Sequence, residues 1–159
     1  MNPTITFLIG PPASGKSTYR DKYATNEVII SRDDIIDNLR VDIGISYQDT
    51  FYDKEFEKKV NSILQNNIAE AIKHRKNIIV DMSNISVSAR RKTMSRIPGI
   101  YDRKAVVFQV NYDELVIRIK NREVETGKSI PIEILDWMIE QYEEPSEEEN
   151  FSDIQYIKL

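Results

Sequence analysis

The 159-residue chain contains no cysteine. That excludes a disulfide framework and a thiolate metal centre. Histidine occurs once, as His74 in the polar run Lys73-His74-Arg75-Lys76, where it reads as a surface residue at a helix end. No apolar run approaches the length of a membrane span. A strand begins almost at once at the N-terminus, where a signal peptide would otherwise stand. These absences predict a soluble, cytoplasmic protein with no membrane partner. The length fits one domain, 1–159, with a single sizeable core.

Charge of neither sign dominates most of the chain. The formal net charge is −4. From Ile139 to Leu159, however, seven acidic residues face one basic, so the first 138 residues hold 21 basic against 19 acidic. The acid is concentrated in Glu140 to Glu149, which reads as a solvated helix end and linker. The net charge argues weakly against a nucleic-acid partner, and this distribution weakens that argument.

Against these absences stands one dense motif. Gly10-Pro11-Pro12-Ala13-Ser14-Gly15-Lys16-Ser17 fits G-x-x-x-x-G-K-[ST] and is followed by Thr18. It lies between an apolar strand, Ile5 to Ile9, and a helix that begins at Thr18, the context this motif needs. The two glycines let the backbone bend and come close to a ligand. Loop amides at a helix start cradle phosphate oxygens. Lys16 brings a cation to the β- and γ-phosphates, and Ser17 offers a hydroxyl to Mg²⁺. Residues 10–18 are therefore the expected binding site for a nucleoside triphosphate.

The rest of the chain alternates short apolar strands with amphipathic helices, as parallel α/β sheets do. Strands are expected at Met1–Ile9, Val28–Ile30, Ile78–Asp81, Lys104–Val110 and Ile154–Ile157. Helices are expected after the loop to about Asn26, at Asp33–Arg40, Asp53–Lys76, Ser86–Ile97 and Asp113–Glu125, and from Pro131. In the long third of these helices, Asp53–Lys76, Phe56, Val60, Ile63, Leu64, Ile68, Ala71 and Ile72 recur at steps of mainly three and four, which places them on one face. Val41–Tyr52 has no period and reads as a loop. Right-handed crossovers put helices on both faces and bring Gly10, Ser31 and Asp81 to the carboxyl edge of the sheet.

Ser31-Arg32-Asp33-Asp34 follows the second strand. Phosphoryl transfer to an alcohol needs a carboxylate that positions the hydroxyl and takes its proton. Asp33 or Ser31 could cap the helix; of the two acids Asp33 is the preferred base, which leaves Asp34 the capping role. Arg32 and Asp34 are candidate acceptor contacts. Asp81 ends a hydrophobic strand and could hold the Mg²⁺ shell or orient Lys16 or Ser17, while Ser83 and Asn84 could fix the loop or touch the acceptor. Arg118 and Arg122, spaced i,i+4, share a helix face. With Lys120 and Lys128 they make residues 113–130 an expected cationic lid. Arg90-Arg91-Lys92, with Arg96, is a candidate polyanion contact.

Taken in order, Gly10 to Thr18, Arg32-Asp33-Asp34, Asp81 with Ser83-Asn84, and Leu115…Arg118…Arg122…Gly127…Ile130-Pro131 resemble the kinase domain of bacteriophage polynucleotide kinase. The resemblance runs from about Thr4 to Tyr142. It implies a P-loop kinase with a parallel five-stranded sheet in the order 2-3-1-4-5. It also implies transfer of the ATP γ-phosphate, with Mg²⁺, to a 5′-hydroxyl of DNA or RNA, DNA ahead of RNA. Lys16, Asp33 and Arg118 or Arg122 would be catalytic, Ser17 and Asp81 would hold the metal, and Arg32, Asp33, Asp34 and Asn84 would meet the acceptor. Some relatives form homo-oligomers. The family's acceptor-binding arginine, three residues after the base, is replaced here by Ile36, and Arg40 stands one turn on. Three other readings remain open at this point: a kinase of a hydroxymethyl group on a modified base, a nucleoside or sugar kinase, and a nucleotide-switched binding protein.

Overall fold

The computed structural model describes residues 1–158. Five strands, β1 (Thr4–Ile9), β2 (Val28–Ser31), β3 (Ile78–Asp81), β4 (Asp102–Gln109) and β5 (Asp153–Lys158), form one parallel sheet in the order β2-β3-β1-β4-β5. The helices between them are α1 (Lys16–Tyr23), α2 (Arg32–Ile43), α3 (Lys54–Lys73), α4 (Val87–Met94), α5 (Tyr112–Thr126) and α6 (Ile132–Gln141). Parallel order requires a crossover between successive strands, and each crossover here carries at least one helix.

The centre of the sheet is buried on both sides, so β3 and the second half of β1 and of β4 carry runs of buried residues, while the edge strand β5 stays largely exposed. Phe7 and Ile9 face a core built with Phe56, Val60, Leu64 and Ile68 of α3. Leu8, one residue between them, faces the opposite side with Val106, Phe108 and, from α1, Tyr19. Ile63, expected on the buried face of α3, lies at its edge and is exposed. A third cluster, Tyr47, Leu115, Ile119, Ile130 and Leu135, joins α5 and α6 to the 3₁₀ turn Gln48–Phe51.

Local signals explain the element ends. Ser31 Oγ accepts the amide of Asp34 and caps α2, so Asp34 is not the cap. Gly44, at φ 84°, closes that helix in the left-handed region, three residues beyond the expected end. Asp53 and Asn111 cap α3 and α5 in the same way as Ser31. The unperiodic stretch 41–52 is thus the last turn of α2 followed by a 3₁₀ turn rather than a plain loop. None of the described helices is long and apolar enough to cross a membrane.

Candidate active site

The site grows from the carboxyl edge of three adjacent strands. Register pairs Leu8 of β1 with Asp81 of β3, and Asp81 with Ser31 of β2. The loop after β1 therefore leaves the sheet beside Asp81, and α2 begins one strand further on. Gly10 permits this departure. A Cβ there would lie 2.6 Å from Ser14 Oγ and 3.2 Å from Phe108 Cβ. Ser14 is fully buried and has little room to move away. Gly15, at φ 102°, sits at the N-cap of α1 in a conformation that side chains resist.

Inside the loop, Lys16 Nζ donates to the carbonyls of Gly10 at 2.8 Å and Pro11 at 2.7 Å. Burial pulls this ammonium down to about 8, against the opposing pull of Asp81 and Asp33. Ser17 Oγ donates to Asp81 Oδ2 at 3.0 Å. Burial pushes the Asp81 carboxyl upward, while Lys16 and Arg20 draw it down. A hydroxyl and one carboxylate side by side are the hard oxygen donors that suit Mg²⁺, which keeps waters and phosphate oxygens for the rest of its shell. No cluster of three or more histidine, cysteine or acidic ligands exists among the described residues, so the donor set does not favour a dedicated all-protein metal cage.

A cleft of about 890 Å³ opens over this loop and brings together Lys16, Ser17, Asp33, Asp81, Arg118 and Arg122. Arg118 Nη1 reaches the loop itself and donates to Ala13 O at 3.2 Å, while its Nε holds Glu114. Arg122 Nη2 donates to Asp33 Oδ2 at 3.0 Å. Sequence reasoning left these two arginines undivided. The structure separates them, one on the phosphate loop and one on the candidate base. Arg32 also lines the cleft, with Nη1 bonded to Asn61 Oδ1 of α3 at 2.7 Å. Ser83 lines it too.

Two expected contacts lie elsewhere. Asn84 is buried, and its amide donates to Leu8 O at 2.8 Å and more weakly to Val80 O and Met82 O. Its side-chain donors are spent on tying the β3–α4 connection to the end of β1, so of its two expected roles Asn84 takes that of fixing the loop, and no donor is left for an acceptor. Asp34 turns away from the cleft to pair with Arg20 at 3.0 Å. The basic run at α4 divides similarly. Arg90 is completely buried, bonded to both carboxylate oxygens of Glu149 and to the carbonyls of Asn84 and Glu143. It is no polyanion contact, and Glu149 is no solvated linker residue. Arg91, Lys92 and Arg96 remain exposed.

Two residues of this region carried no sequence signal strong enough to single them out. Arg20 lies 3.1 Å from Asp81 and 3.0 Å from Asp34, bridging the edges of β3 and α2. Its Nη1 faces Asp81 at ion-pair distance but off the hydrogen-bond direction. Position i+4 from Lys16 on α1 was the available hint. Tyr47 donates to Asp33 Oδ1 at 2.9 Å from the unperiodic 41–52 stretch. Ile36, where the resembling family carries arginine, packs against both the sheet core and the Tyr47 cluster.

Fold and site together define a P-loop protein of the kinase fold. Residues 5–145 match the AAA_33 family, an AAA domain, and the chain belongs to that family. It is similar to a chain in the Pnkp1/Rnl/Hen1 RNA repair complex, with 26% identity and a TM-score of 0.73 over 88% of this chain and 44% of that one. This chain thus spans less than half the length of that relative. A Chloroflexus aurantiacus protein with a provisional kinase assignment shares the fold at 16% identity, with a TM-score of 0.76 over 99% and 89%. A gluconokinase from Sinorhizobium meliloti does so at 17% identity, with a TM-score of 0.53 over 98% and 82%.

Proposed function

We propose that the chain is an ATP- and Mg²⁺-dependent kinase that phosphorylates the 5′-hydroxyl end of a nucleic acid. The observation that carries this is the position of Asp33. Its carboxylate lies across the cleft from the phosphate loop, near enough to act on the charge of Lys16 and bonded to Arg122. Similarity to a chain of an RNA repair complex supports a nucleic-acid acceptor and leaves DNA and RNA on equal terms.

In this reading the loop 10–18 holds the triphosphate, and Lys16 leaves the Gly10 and Pro11 carbonyls for the β- and γ-phosphate oxygens. Ser17 and Asp81 would hold Mg²⁺, which would neutralise charge on the phosphates. Asp33 takes the acceptor's proton as its oxygen bonds to the γ-phosphorus, the bond to the β–γ bridging oxygen breaks, and ADP leaves. Arg118 and Arg122, carried on a lid formed by α5, offset charge developing on the transferred group. Arg32, braced by Asn61, faces the acceptor.

The test is transfer of labelled γ-phosphate to a 5′-hydroxyl oligonucleotide, run as DNA and as RNA beside a Lys16→Ala control. No transfer above that control refutes the acceptor. Ile36 favours a second reading, because an apolar side chain at that place offers no grip on a neighbouring phosphate. There the acceptor is a hydroxymethyl group on a base, or a small alcohol. Digestion of the product to nucleosides, and a screen of nucleosides and sugars, separate these. A nucleotide switch without transfer predicts that Asp33→Asn keeps every output.

A further inference from the structure

We infer that Tyr47 is a positioning residue for this reaction: its hydroxyl holds Oδ1 of Asp33, which leaves Oδ2 as the oxygen that takes the acceptor's proton. The inference rests on the reading of Asp33 as the base.

The two oxygens of Asp33 have partners of different kinds. Oδ1 accepts from Tyr47 at 2.9 Å, and Oδ2 accepts from Arg122 at 3.0 Å. Tyr47 cannot easily leave. It is 4% exposed and packed among Leu115, Ile119, Ile130 and Leu135. Its ring meets Phe51 edge-on at 5.4 Å, and its carbonyl accepts from Thr50 Oγ1 at 2.6 Å. Burial and the adjacent Asp33 charge push its phenol upward, so it stays a donor at neutral pH.

Arg122 is the movable partner. Its guanidinium ends a long side chain on α5 and lies 5.6 Å over the Tyr47 ring, with Lys128 Nζ at 5.2 Å. A triphosphate in the loop is a stronger anionic partner for Arg122 than one carboxylate. When Arg122 turns to the phosphates, Oδ2 is released while Oδ1 stays bonded. The base is then aimed before the acceptor arrives, and a fixed direction is what proton transfer in line with phosphoryl transfer requires. The acceptor proton goes to Oδ2, and the Tyr47 proton stays on its own oxygen.

Tyr47→Phe removes only the hydroxyl and keeps the ring beneath Arg122 and Lys128. With a 5′-hydroxyl oligonucleotide, the full chain carrying Tyr47→Phe is expected to lose about tenfold to a hundredfold in kcat. Its KM for ATP and its melting temperature should stay at wild-type values. In an Asp33→Asn background the same change should cost nothing further, because the group it aims is gone. A Tyr47→Phe enzyme within about twofold of wild-type kcat overturns the inference, as does an undiminished loss in the Asp33→Asn background. Should the wild type transfer nothing, or Asp33→Asn stay fully active, the reading of the site falls first and takes this inference with it.

Discussion

Arg90 and Glu149 form an enclosed ion pair, with Arg90 Nε 2.8 Å from Glu149 Oε1 and no solvent exposure of the arginine. The pair fastens the acidic C-terminal stretch to the connection that follows Asp81. Removing one partner leaves the other charge buried and unpaired. Arg90→Ala should therefore cost about 3–5 kcal/mol of stability, read by chemical denaturation. A cost below about 1 kcal/mol would show that the pair is solvated in solution.

Gly10→Ala places a methyl 2.6 Å from the buried Ser14 hydroxyl. The expected loss is about 1–3 kcal/mol, together with weaker ATP binding. Adding Ser14→Ala removes the closest obstruction and should restore part of the melting temperature. If the double variant is no better than the single one, the 3.2 Å contact with Phe108 Cβ dominates instead.

Nucleotide binding should take up a proton near pH 8. Burial holds Lys16 at about 8, so about half of the molecules carry it neutral at that pH. Bound phosphates favour the charged form and raise that value. Calorimetric titration of ATP in buffers of different ionisation heat should report uptake of about half a proton at pH 8 and almost none near pH 6.5. Stability has the matching sign. The unfolded chain holds more protons than the folded one between about 8 and the ordinary lysine value, so Lys16 makes stability rise with pH in that window. Heats at pH 8 that do not depend on the buffer would refute the shift.

Arg118 and Arg122 should fail differently. Arg118 touches the phosphate loop at Ala13, so Arg118→Ala should raise KM for ATP as well as lower kcat. Arg122 faces Asp33 across the cleft. Arg122→Ala should act mainly on kcat, by about a hundredfold, and should raise KM for ATP less than Arg118→Ala does, because Arg122 must give up Asp33 to reach the phosphates. Identical profiles would refute the division of labour.

Asp81→Asn keeps the shape of the side chain and removes its charge. The Mg²⁺ concentration for half-maximal transfer should rise about tenfold or more. An unchanged Mg²⁺ titration with normal kcat would remove Asp81 from the metal shell.

The fold was legible because its central strands are apolar runs and its helices alternate with them. Ser31 was open to reading as a cap, whereas the caps Asp53 and Asn111 stand one residue before helices whose starts were placed at Asp53 and Asp113. The parallel sheet follows from the alternation, and its strand order came with the resemblance. At the candidate site, the order of motifs along the chain pointed to Lys16, Asp33 and Asp81 because each sits where a strand hands over to the next element: Lys16 after the loop that leaves β1, Asp33 two residues past β2, and Asp81 as the last residue of β3. Tyr47 escaped because a residue that caps a short 3₁₀ turn has no period to betray it. Arg90 and Asn84 misled for a related reason. A charged or amide side chain reads as surface or ligand until its partners are known, and Glu149 and Leu8 lie 59 and 76 residues away from them.

The cluster around Tyr47 is built from α5, α6 and the 3₁₀ turn; Ile36 touches both it and the sheet core, and Ala13 of the phosphate loop packs against it. The two halves of the cleft therefore meet at a narrow seam, Ala13 and Ile36. On the proposed kinase reading, substitutions among Leu115, Ile119, Ile130 and Leu135 that leave this seam intact would reshape the side of the cleft assigned to the acceptor while β1 still carries the triphosphate loop. A lineage using that freedom would change what it phosphorylates without reinventing how it holds its fuel, and libraries aimed at new acceptors belong in that cluster, with Ala13 and Ile36 held fixed.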